Sequence, residues 1–122
     1  MDQILFIGKN SSASQTIYGL LDQMEGFELQ SKWVSELEDF KIDLESRALY
    51  VLNLSDWENG NMKILKSLIQ NLSQNSQLIV IDTYQDKQLI DKIIDMGASA
   101  YIEQHKVASS IKQIIEELIS EK

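Results

Sequence analysis

Asn53 closes the apolar run Ala48-Leu49-Tyr50-Val51-Leu52-Asn53-Leu54, which reads as a strand buried on both faces. In an open α/β sheet, the residues leaving the carboxyl ends of such strands line the ligand crevice. An aspartate at this place would be a carboxylate nucleophile. An asparagine has the same shape without the nucleophilic oxygens. Other polar side chains follow other apolar runs: Gly8-Lys9 after Ile4-Leu5-Phe6-Ile7, Asp82-Thr83 after Leu78-Ile79-Val80-Ile81, and Gln104 after Ala100-Tyr101-Ile102. Between Lys9 and Asp82 an ion pair is expected if the two meet; two separately solvated side chains are the alternative. Asp56 lies three residues beyond Asn53 and is expected to serve only in turn chemistry. His105 is the sole histidine; without a second ligand it reads as a surface residue rather than a metal or catalytic site. The segment Gly8-Lys9-Asn10-Ser11-Ser12 holds one glycine, where a dinucleotide-binding loop needs three. A serine-rich helix start can still hold an anion weakly.

The elements that must carry these residues follow from hydrophobic period. Ile4 to Ile7 is a short, wholly apolar strand. Asn10-Ser11-Ser12 offers cap chemistry, and Ala13, Ile17, Leu20, Leu21 and Met24 then fall at helical spacing before Gly26. Phe27, Leu29, Ser31 and Trp33 alternate as one side of a second strand. Val34, Leu37, Phe40 and Leu44 suggest a short helix within Ser35–Ser46. After the run ending at Asn53 comes a loop, Ser55–Asn61, and an amphipathic helix marked by Met62, Leu65, Leu68, Ile69 and Leu72. Leu78 to Ile81 is a buried strand, and Leu89, Ile90, Ile93 and Ile94 mark a helix stopped at Gly97. Ala100-Tyr101-Ile102 is a fifth strand; Val107, Ile111, Ile114, Ile115 and Leu118 stripe a last helix.

Five strands alternating with five helices across 122 residues predict one α/β domain over the whole chain. Its parallel sheet lies between two helical layers, in the flavodoxin-like order 2-1-3-4-5. That order brings Gly8-Lys9, Asn53, Asp82-Thr83 and Gln104 to one edge. Composition excludes several classes. With 11 Lys+Arg against 19 Asp+Glu the net charge is −8, and Arg47 is the only arginine, so direct nucleic-acid binding is not expected. There is no cysteine, which removes disulfides and thiolate metal sites and suits a cytoplasmic home. No secretory leader is expected from Met1-Asp2-Gln3, and no run approaches the ~18 apolar residues of a membrane span.

On these residues the sequence resembles the receiver domains of bacterial two-component response regulators, over essentially its full length. The likeness rests on the register of Ile4 to Ile7 against the first helix and on the Asn53-Leu54 step. It rests also on Gly97-Ala98-Ser99-Ala100-Tyr101, which is similar to the small-residue turn and aromatic fifth strand of receivers. The resemblance implies that the residue ending the third strand would be an aspartate that accepts a phosphoryl group; here it is Asn53. Two acidic residues after the first strand would help bind Mg²⁺, but the chain has Gly8 and Lys9. The strand-4 hydroxyl that contacts the phosphoryl group is replaced by Asp82, and the lysine after strand 5 by Gln104. His105 stands where a proline often follows that lysine.

Each departure has a chemical cost of its own. An amide cannot form an acyl phosphate. Mg²⁺ wants anionic oxygens, whereas Gly8 offers no side chain and Lys9 brings a positive charge. Gln104 removes the cationic clamp on transferred charge, and Asp82 adds a negative one. No phosphorylation at Asn53, no tight Mg²⁺ site, no cofactor and no catalysis are expected. Tyr101 takes the place of an aromatic that switches rotamer in similar receivers, and is expected to be uncoupled. Trp57 is expected to pack over the sheet edge, the alternative being an exposed anchor; Tyr84 adds a second aromatic nearby. The resemblance also implies an interaction face of the fourth helix, fifth strand and fifth helix, where Lys87, Ile90, Asp91, Lys92, Ile94, Asp95, Lys106 and Lys112 mix charge with apolar edges. The expected function is a phosphorylation-independent pseudo-receiver that binds a protein partner or itself. The alternatives are a small-ligand or anion-binding flavodoxin-like domain, or a fragment of a larger response regulator.

Overall fold

Short apolar runs bounded by polar residues form the three central strands, because a run buried on both sides has no polar face to offer a helix surface. The computed structural model describes residues 2–36, 49–55, 62–74, 76–83 and 86–120. In chain order the elements are β1 (Asp2–Gly8), α1 (Ser12–Asp22), β2 (Phe27–Trp33), β3 (Leu49–Asn53) and α2 (Met62–Ser73). There follow β4 (Gln77–Asp82), α3 (Lys87–Asp95), β5 (Ala100–Glu103), a 3₁₀ turn (Gln104–Lys106) and α4 (Val107–Ser120). The five strands form one sheet in the order β2-β1-β3-β4-β5, and all four pairings are parallel. The expected strand order is the observed one.

Alternate strand residues point to opposite faces, and the core divides accordingly. Ile4, Phe6, Val51, Ile79 and Ile81 pack with Ile17 and Leu21 of α1 and Ile111 and Ile115 of α4. Leu5, Ile7, Leu52, Leu78 and Val80 pack with Leu68, Ile69 and Leu72 of α2 and Ile93 of α3. On the first face Phe6, Tyr18 and Trp33 form an aromatic trio, with ring centroids 5.6 to 6.1 Å apart. No helix among the described residues is long and apolar enough to cross a membrane.

The helix ends show why they lie where they do. Ser11 caps α1, its Oγ accepting from the Ser14 N–H at 3.1 Å. Asp86 caps α3 by accepting from the Gln88 N–H at 2.9 Å. After α3 the chain turns through Gly97 at φ +128°, a region L side chains avoid. Among the described residues there are four α-helices; the other expected one, within Ser35–Ser46, falls almost wholly outside them. Val34, grouped with that helix by spacing, instead continues the pairing of β2 with β1. Its N–H donates to the Gly8 carbonyl at 2.8 Å and its side chain is buried in the second core. Asp56, Trp57 and Tyr84 lie outside the described residues.

Candidate functional site

The carboxyl edge of the sheet brings Gly8, Asn53 and Asp82 together, since Ile7 pairs with Leu52 and Asn53 with Ile81. Asn53 is fully buried. Its Nδ2 donates to Ser14 Oγ at 2.8 Å, while its Oδ1 accepts from the Ser55 N–H at 3.2 Å and Ser55 Oγ at 2.7 Å. A backbone N–H only donates, so Ser55 fixes which end of the amide is oxygen. The side chain is thus committed at both ends.

Ser14, in the first turn of α1, is fully buried as well, and Gly8 makes room for it. A Cβ on Gly8 would stand 2.7 Å from Ser14 Oγ and 2.9 and 3.2 Å from two carbons of the Phe6 ring. Real Cβ atoms do not approach that closely. The sequence reading missed Ser14 and Ser55. A signal for Ser14 existed, since it lies three residues before Ile17 and seven before Leu21, the other buried residues of α1. A small polar residue on a buried helical stripe needs a polar partner.

Asp82 is 6% exposed. Burial pushes its carboxyl above the ordinary carboxylate range, partly offset by the hydrogen bond from Thr83, whose N–H meets Oδ1 at 2.7 Å. Among the described residues Lys9 and Asp82 do not form an ion pair. Lys9 is half-buried. The buried neighbour of Asn53 is the neutral hydroxyl of Ser14.

No family model matches the sequence, and no curated protein matches it significantly. Solved structures do match in fold. A two-component response regulator of the LuxR family from Aurantimonas sp. superimposes with a TM-score of 0.74 at 13% identity, covering 100% of this chain and 87% of that one. A response regulator from Thermotoga maritima gives 0.72 at 18% identity, covering 98% and 99%. The fold is that of response-regulator receiver domains. A putative pilus assembly protein (cpaE) from Burkholderia thailandensis shares it, with a TM-score of 0.67 at 10% identity over 95% and 99% of the two chains.

The Mg²⁺ that the receiver fold suggests does not suit these residues. Gly8 supplies no side-chain donor, the Asn53 oxygen already accepts twice, and Asp82 is a single carboxylate. Among the described residues no group of three or more His, Cys, Asp or Glu is placed to hold a metal. Gln104 opens the 3₁₀ turn and is half-buried. Beside it the Glu103 carboxylate meets His105 Nε2 at 3.3 Å and Lys106 Nζ at 3.2 Å; both partner side chains are exposed, so the contacts contribute little. Tyr101 packs half-buried against the second core. On α3 and the turn after β5, Lys87, Asp91, Lys92, Asp95 and Lys106 are exposed and Ile90 is half-buried; Lys112 of α4 is exposed as well, on the side toward α1. Ile94 is 39% exposed, one of two large apolar side chains so open among the described residues.

Proposed function

We propose that this chain is a pseudo-receiver: a cytoplasmic, non-enzymatic signalling module that acts by binding a protein partner or a second copy of itself, without phosphorylation. The observation that carries this reading is the buried, uncharged plug of Asn53, Ser14 and Gly8 where an acceptor carboxylate and its metal would have to sit. The reaction lacks its nucleophile, and the amide that replaces it is held by hydrogen bonds to Ser14 and Ser55. The exposed Ile94 among charges on α3 supports the α3-β5-α4 face as a contact surface.

The test is incubation with acetyl phosphate and Mg²⁺ followed by intact mass, run on the wild type and on Asn53→Asp. Both are expected to keep their unmodified mass, because restoring one carboxylate restores neither metal site nor cationic clamp. An adduct of about 80 Da, the mass a phosphoryl group adds, on either protein would overturn the reading. For the interaction role, Ile94→Arg is expected to weaken self-association or partner capture while leaving the melting temperature unchanged.

A further inference from the structure

At the far edge of the sheet from Asn53, α1 and α4 part to leave an open groove of about 770 Å³. Its position follows from register, since Phe27, which lines it, pairs with Asp2 at the start of β1, the end opposite Gly8. Leu20 and Met24 form one wall, and Ile111, Ile115 and Ile119 the other. Ile111 and Ile115 are core residues at the floor of the groove, 3% and 1% exposed, so the apolar surface open to it is that of the half-buried Leu20, Met24, Phe27 and Ile119. From Ala108 to Ile119 the lined stretch of α4 is about 16 Å long at 1.5 Å per residue, room for about three turns of a second helix laid alongside.

The rim is negative. Glu25 and Glu116 line it, and Lys112 is the one base among its described lining residues. Both α1 and α4 end at this groove, through Gln23 and Ser120, and neither has a basic residue in its last turn. Their carbonyl ends therefore add negative potential to that of the carboxylates. A second copy is a poor occupant, since it carries the same acidic rim and a net charge of −8.

We propose that this groove docks a cationic amphipathic helix of another protein, apolar side chains against Leu20, Met24, Phe27 and Ile119 and Lys or Arg against Glu25, Glu116 and the two helix ends. The groove lies away from Asn53, so the proposal stands or falls separately from the absence of phosphorylation. The probe is a capped peptide of two Leu-Lys-Lys-Leu-Leu-Lys-Leu heptads, titrated into ¹⁵N-labelled protein with calorimetry in parallel. Saturable one-to-one binding is expected, with amide shifts concentrated in the end of α1 and along α4. A peptide of the same composition in shuffled order should bind at least about tenfold more weakly, as should the unshuffled peptide on Glu25→Lys/Glu116→Lys, because the apolar lining and the rim charges act together. Lys112→Glu should tighten binding. The proposal is overturned if the shuffled peptide binds equally well, if charge reversal leaves affinity unchanged, or if the shifts fall on α3. Sedimentation showing a dimer that Ile119→Glu dissociates would assign the groove to a second copy and overturn it too.

Discussion

The contact between Gly8 and Ser14 can be tested by a double-mutant cycle. In Gly8→Ala, the new Cβ meets Ser14 Oγ at 2.7 Å and the Phe6 ring at 2.9 and 3.2 Å, overpacking that typically costs about 1–3 kcal/mol. In Ser14→Ala, the Asn53 Nδ2 loses its acceptor at 2.8 Å inside the protein, and an unsatisfied buried donor costs about 1–3 kcal/mol. Each change is a sizeable part of the roughly 5–15 kcal/mol that holds a domain together. The two are not independent. In the double variant the new methyl no longer collides with Oγ, and only the Phe6 contact remains. The pair should therefore cost less than the sum of the singles, by about 1 kcal/mol within the usual coupling range of neighbours. Urea unfolding followed by far-UV circular dichroism on all four proteins measures this directly. If the losses add within about 0.5 kcal/mol, Ser14 and Gly8 do not share one packed space, and the account of the plug fails.

Asp82 gives a pH signature. Its folded-state carboxyl is raised above the ordinary 3.8 by burial, so between those two values the folded chain holds more protons than the unfolded one, and stability falls as pH rises through that window. Asp82→Asn keeps an oxygen for the Thr83 N–H and removes the buried charge. It should melt higher near neutral pH, an advantage that shrinks as pH falls toward 3.8; a lower melting point at neutral pH in scanning calorimetry would refute the burial argument. Two glycines should respond in opposite directions. Gly19→Ala, inside α1 with nothing within 4 Å of the added Cβ, should stabilise by about 0.5–1 kcal/mol. Gly97→Ala, at φ +128° and against Ser73, should destabilise by roughly 1–3 kcal/mol; equal urea midpoints for these two variants would contradict both assignments.

Particular residues show what the sequence made legible. β3 and β4 were readable because nearly every residue in them is buried, so the apolar run and the element coincide. α4 was readable because Val107, Ile111, Ile115 and Leu118 repeat at helical period and are the residues it buries. That Asn53 ends a buried strand was legible too, since the apolar run stops there. Its partners were not. Ser14 and Asn53 are 39 residues apart, and a hydroxyl that satisfies a distant amide has no local pattern of its own. Formal charge suggested an ion pair between Lys9 and Asp82, whereas Asp82 is buried at the edge with the Thr83 N–H on its carboxylate. Val34 was misplaced for a related reason: its hydrogen bond to Gly8 is nonlocal, and spacing alone does not register it.

The aromatic trio has a consequence in light. Trp33 lies at the end of β2, 37% exposed, with its ring 5.6 Å from that of Phe6. The same Phe6 ring bounds the space above Gly8. One benzene ring thus separates the plug at Asn53 from an indole whose emission colour depends on its contact with water. In a Trp57→Phe background, the fluorescence of Trp33 becomes a single-site optical gauge of the strand edge, reading displacement at Gly8 without any label attached.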